Sequence, residues 1–148
     1  MTTLAMDKNG LIAYDSRVTA NNYICTDKAN KHVKANGVNY FFCGREADEP
    51  KLIRAFQDGG EDDYPDNVDV AAIIVQGSKV YTAGINSNEG YYCQTEKIGD
   101  IIIAGSGGDY AAGALHAGCN AKEAVKIAIK CDNNSGGLVR TFQVPRDI

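Results

Sequence analysis

A threonine hydroxyl next to a free α-amino group combines nucleophile and base in one residue, and Thr2 presents that pair once Met1 is removed. The amine, with an ordinary pKa of about 8, takes the hydroxyl proton directly. Thr2 alone says little, because the chemistry needs a lysine and an acid held beside it. A second candidate is the loop Gly105-Ser106-Gly107-Gly108-Asp109-Tyr110, which follows the apolar run Ile101-Ile102-Ile103-Ala104. A dinucleotide fingerprint would put glycine where Tyr110 stands, and no ribose-binding acid follows at the right distance. A phosphate-loop lysine is missing too. A tight turn that lets a helix pack closely on a sheet is favoured over nucleotide binding.

Other reactive side chains have bland readings. The stretch from Asp58 to Asp69 is acidic but lacks the alternating ligands, central glycine and closing glutamate of a calcium loop, so it reads as a solvated loop. Five cysteines (25, 43, 93, 119 and 131) form no CxxC pair, and with His32 and His116 they give no zinc spacing. Free, buried thiols in a reducing cytoplasm are expected. No histidine partner can be argued for Cys43 from the sequence, so it reads as a buried thiol, and His116 reads as a packing residue on a small-residue helix. No metal and no cofactor are expected.

The elements that must position these groups follow from composition and pattern. The chain has 148 residues, 15.8 kDa, 44% hydrophobic and 23% charged residues, which suits a single domain spanning 1–148. Its net charge of −4 excludes phosphate-backbone binding as the main task, so no nucleic acid is expected. The N-terminus is not a signal peptide, and the longest apolar runs are too short to span a membrane. Asn9-Gly10 predicts a hairpin between Thr3–Met6 and Leu11–Tyr14, on the ground that both turn residues tolerate positive φ. Further strands are predicted at 23–26, 32–34, 38–43, 70–76, 79–83, 101–104 and 138–144, with a second Asn-Gly turn at 36–37. Helices are predicted over 46–57, 109–117 and 121–131, the last started by Asn120 with Glu123. Strands, helix, strands, two helices and a strand make an α+β class.

Within that order, Asp15-Ser16-Arg17-Val18-Thr19-Ala20-Asn21-Asn22-Tyr23-Ile24, followed by Lys31, resembles the D-S-R-A-T-A-x-x-Y-I segment and downstream lysine of proteasome β-subunits. Gly105-Ser106-Gly107 resembles the family's G-S-G loop, and Asp132-Asn133-Asn134-Ser135-Gly136-Gly137 its D-x-x-S-G-G turn. Thr2-Thr3-Leu4-Ala5 is similar to the mature N-terminus. Four motifs in order across nearly the whole chain identify it as resembling a compact proteasome β-type or HslV-like N-terminal nucleophile (Ntn) hydrolase.

The resemblance implies a four-layer αββα sandwich with a shortened first helical layer, because the acidic loop replaces the family's second helix. It implies that Thr2 is nucleophile and base, that Lys31 favours the alkoxide, and that Asp15 keeps Lys31 charged. Gly44 would offer its N–H to the oxyanion, and Ser106, Asp132 and Ser135 would hold the terminal amine. Val18, Ala29, Val33 and Phe42 fall near the positions that line the family's first specificity pocket, which implies an apolar preference. Taken singly, Asp15 and Lys31 also fit a surface ion pair, and Ser106 and Ser135 fit caps. Two registers stay open at the N-terminus: counting back from Asn9-Gly10 aligns Met1 with the catalytic threonine, and matching Thr2-Thr3-Leu4 aligns Thr2. The implied activity is cytoplasmic hydrolysis of peptide or unfolded protein through an acyl-enzyme, in a ring-like homo-oligomer, with an ATPase unfoldase left open. The alternative is a non-catalytic scaffold subunit that retains Met1.

Overall fold

The computed structural model describes residues 2–61 and 63–146. Its contacts divide the chain into two compact units, one of Met1–Lys31 with Ile98–Ile148 and the other of His32–Lys97.

The first unit opens with strands β1 (Leu4–Met6) and β2 (Leu11–Tyr14), then a small antiparallel pair, β3 (Val18–Ala20) and β4 (Tyr23–Thr26). The expected β1–β2 hairpin forms, and of Asn9 and Gly10 only Gly10 takes positive φ (80°). The reason is Asp7, whose buried carboxylate accepts the N–H groups of Asn9 (2.9 Å) and Leu11 (3.1 Å) and so shapes the loop as a side-chain turn.

The second unit is an antiparallel meander of β5 (His32–Ala35), β6 (Val38–Gly44), β7 (Asp69–Gln76), β8 (Lys79–Asn86) and β9 (Gly90–Glu96). Here the Asn36-Gly37 turn behaves as expected, with φ of 52° and 78°. Helix α1 (Glu49–Asp58) follows a 3-10 turn at Glu46–Asp48. Pro50 is tolerated because it lies in the first turn, where its missing N–H has no intrahelical partner. Leu52 and Ala55 of α1 pack on Tyr40, Phe42, Val70, Ile74 and Ile85 of the sheet. Gly59 (φ 94°) ends α1, and the described residues from there to Val68 carry no helix. Asp62 of the acidic loop lies outside the described residues.

The chain returns to the first unit with β10 (Ile102–Ala104), α2 (Gly108–His116), α3 (Ala121–Cys131) and β11 (Arg140–Gln143). The sheet order is β10-β1-β2-β11, antiparallel throughout. Alternation along β1 and β2 sends Ala5 and Ala13 to the face covered by α2 and α3, where Ala111, Ala114, Ala121, Ala124, Val125 and Ala128 meet them. Small residues on both sides let helix and sheet approach closely. Asn120 and Glu123 form the expected capping box. The Ala121 N–H at the same terminus goes to Asp7 (2.9 Å), which ties α3 to the β1–β2 turn.

The fold is α+β, as the element order predicts. Strands β3 and β9 lack a sequence expectation. His116 is corrected: it is exposed in the last turn of α2. So are three of the five thiols expected to be buried, since Cys25, Cys93 and Cys131 lie at the surface. Among the described residues no group of His, Cys, Asp and Glu is placed to hold a metal, and no helix is long and apolar enough to cross a membrane.

Candidate active site

Four segments of the first unit converge on the residues that precede β1. The first is the bend after β2, which carries Asp15. The second is the loop after β4, which ends at Lys31. The third is the turn between α3 and β11, which carries Asp132 and Ser135. The fourth is the loop between β10 and α2, which carries Ser106.

Asp15 is fully buried and its two oxygens are filled by four donors. Oδ1 accepts Lys31 Nζ at 2.7 Å and the Thr3 N–H at 3.1 Å. Oδ2 accepts the N–H of Gly136 at 2.9 Å and of Arg17 at 3.3 Å. The Lys31 side chain is only 9% exposed, so this is a buried ion pair and the surface reading is corrected. From the other side Lys31 Nζ donates to the Thr2 hydroxyl at 3.0 Å. A cation therefore sits against the Thr2 oxygen, held there by a carboxylate that cannot turn away without orphaning three backbone N–H groups.

The second cluster lies around Asp132. Ser106 Oγ donates to Oδ2 at 2.6 Å, Ser135 Oγ to the same oxygen at 2.7 Å, and the Asn134 N–H to Oδ1 at 3.1 Å. Burial alone would raise the Asp132 pKa, but the two hydroxyls and the N–H outweigh it and hold the carboxyl below its ordinary value. Ser106 and Ser135 are thus anchored to a carboxylate. Beyond Ser135, its oxygen lies 2.7 Å from Thr3 Oγ1.

The glycine loop has a different reason from the expected one. Gly105 (φ 84°) lies against the Thr2 carbonyl, and a Cβ there would overlap that oxygen. A Cβ on Gly107 would overlap Thr3 Oγ1, and the Gly107 N–H donates to the Thr2 carbonyl at 3.3 Å. Gly108, by contrast, has room for a side chain against Ile103. The loop gives up side chains chiefly to admit the chain at Thr2-Thr3.

Of the expected site residues, Thr2, Asp15, Lys31, Ser106, Asp132 and Ser135 come together in this unit. Val18 and Ala29 lie half-buried in it, on β3 and on the loop before Lys31. Gly44, Val33 and Phe42 belong to the second unit. Gly44 ends β6 with φ of 99°, and a Cβ there would overlap the Asp69 carbonyl. Phe42 stacks on Tyr40 with ring centroids 5.7 Å apart. Met1 lies outside the described residues.

Two contributors have no sequence expectation. Thr3 is one, hidden because its role depends on a contact with a residue 132 positions away. The other is the Arg17–Asp27 pair, bidentate at 2.7 and 3.1 Å, whose Arg17 also donates to the Asn133 carbonyl and so joins three of the four converging segments. Arg17 stands inside the D-S-R motif, which was a signal for it; Asp27 gave none.

No protein-family model matches the sequence, and no curated protein matches it in sequence either. The structure does have close neighbours. It is similar to eukaryotic HslV from Trypanosoma brucei, with a TM-score of 0.71, 20% identity, and 96% of this chain and 98% of that one covered. It is similar also to BPH from Thiobacillus denitrificans, solved alone and in complex with epoxomicin, each with a TM-score of 0.67. Identity there is 17% and 16%, with 99% of this chain and all of the other covered. The fold is that of the proteasome and HslV-like Ntn hydrolases.

Proposed function

We propose that the chain is a threonine peptidase or amidase whose nucleophile is Thr2, with the α-amine freed by removal of Met1. The observation that carries this reading is the Thr2 hydroxyl 3.0 Å from a lysine that is itself clamped, 2.7 Å away, by a buried carboxylate. In the first step the Thr2 amine takes the hydroxyl proton, and Oγ1 bonds to the substrate carbonyl carbon. The Lys31 charge stabilises the oxygen as it loses that proton. Collapse of the tetrahedral intermediate passes the proton to the leaving amine and leaves an ester on Thr2. Water, activated by the same amine, then attacks the ester and regenerates the hydroxyl. Asp132, through Ser106 and Ser135, supplies negative charge and acceptors near the amine.

Support beyond geometry is the fold shared with HslV and with a protein solved bound to epoxomicin. The resemblance adds Gly44 as oxyanion donor, Val18, Ala29, Val33 and Phe42 as an apolar first pocket, a peptide or unfolded-protein substrate, a ring-like homo-oligomer and a cytoplasmic setting. These belong to the proposal.

The test is intact mass after expression, followed by treatment with a threonine-directed epoxyketone. The expected result is loss of Met1 and one adduct on Thr2, abolished in Thr2→Ala together with peptide hydrolysis. A chain that keeps Met1 and takes no adduct is the scaffold subunit of the alternative reading.

A further inference from the structure

Thr3 is fully buried and held at its N–H, its hydroxyl and the carbonyl before it. Its N–H goes to Asp15, the Thr2 carbonyl takes the Gly107 N–H, and its hydroxyl meets Ser135. The sense of the last bond follows from counting protons. Ser135 has one hydroxyl proton, and the ionised Asp132 carboxylate 2.7 Å away can only accept it. The Ser135 oxygen is left to accept, so Thr3 donates. A single chain runs from the Thr3 hydroxyl through Ser135 to Asp132.

We infer that Thr3 is a positioning residue for Thr2: its hydroxyl, donated to Ser135, and its N–H, donated to Asp15, fix the rotation of the Thr2-Thr3 peptide that turns the Thr2 hydroxyl onto Lys31. The inference rests on the reading of Thr2 as nucleophile. In an extended chain neighbouring side chains point to opposite sides, so pinning Thr3 toward Ser135 sends Thr2 the other way. Gly107 marks the same requirement, because its missing side chain is the space the Thr3 hydroxyl occupies. Thr3 touches no reacting atom; it acts through Thr2 and Asp132.

The test compares Thr3→Val, which keeps the shape and removes the donor, with Thr3→Ser, which restores it. Epoxyketone labelling and peptide hydrolysis are measured across pH, beside urea unfolding and the NMR signal of the Lys31 ammonium. In Thr3→Val the labelling rate and kcat fall about 10- to 100-fold with KM unchanged, the pH profile moves, and the Lys31 signal shifts. Thr3→Ser recovers the rate to within about threefold of wild type. If Thr3→Val does not fold, Thr3→Ala removes the same donor and shows the same loss, and a wild-type rate in it overturns the inference equally. Wild-type labelling rate, pH profile and Lys31 signal in a folded Thr3→Val overturn the inference. An unlabelled wild type whose Lys31 signal still shifts in Thr3→Val refutes the nucleophile reading alone and leaves the positioning of the Thr2 hydroxyl standing.

Discussion

At the residue scale, the proposed function places both the chemistry and part of the local stability on one buried pair, Lys31–Asp15. Lys31→Met removes the cation from the Thr2 hydroxyl and leaves Asp15 buried with one donor fewer. We expect hydrolysis to fall by a factor of about 10² to 10³, and urea unfolding to show a loss of about 3–5 kcal/mol, as when one partner of a buried pair is removed. Adding Asp15→Leu would not restore stability, because that carboxylate also satisfies the N–H groups of Thr3, Gly136 and Arg17. Asp132 provides a pH signature. Its folded pKa lies below the ordinary carboxylate value, so the stabilisation is fully present above the unfolded pKa of about 3.9 and is lost as pH falls through the lower folded value. Unfolding measured at pH 7 and in the acid range should show wild type well above Asp132→Asn at neutrality. The gap should close as the acid range is entered. A constant gap would refute the assignment of that carboxylate as ionised.

At the scale of elements, the site is a meeting of loop ends, and the turns that deliver them have specific chemistry. The loop from β10 to α2 must pass against the Thr2 carbonyl, which only a residue without a side chain allows, and Gly105 is also at positive φ. Gly105→Ala therefore meets backbone rather than a movable side chain. It should lower stability by about 2 kcal/mol or more and abolish adduct formation, read by urea unfolding and intact mass. Gly108→Ala, with ordinary contacts to Ile103, is the control and should be nearly silent. The capping box of α3 was legible because it is local, three residues wide. So was the β1–β2 hairpin at Asn9-Gly10. Its tie to α3 was not: Asp7 binds the turn N–H groups and the start of α3 together.

At the scale of the whole molecule, exposed Tyr23 (63%), Ile24 (50%) and Leu138 (64%) present apolar surface in the first unit. With the proposed ring, they predict a sedimenting mass several times 15.8 kDa, and a monomer at micromolar concentration would contradict the assembly. The sequence by itself determined the α+β class and most of the elements, and it proposed the segments of the candidate site and their residue types, because periodicity, Asn-Gly turns and motif spacing act over a few residues. It could not distinguish a buried Lys31–Asp15 pair from a surface one, nor Ser106 and Ser135 as carboxylate partners from caps. It gave no sign of Thr3 and assigned no strand at 90–96. Those depend on which distant backbones close on one another, and only tertiary packing sets the burial that decides the strength of a charge pair. Spacing proposed which residues belong together; the fold decided which atoms touch.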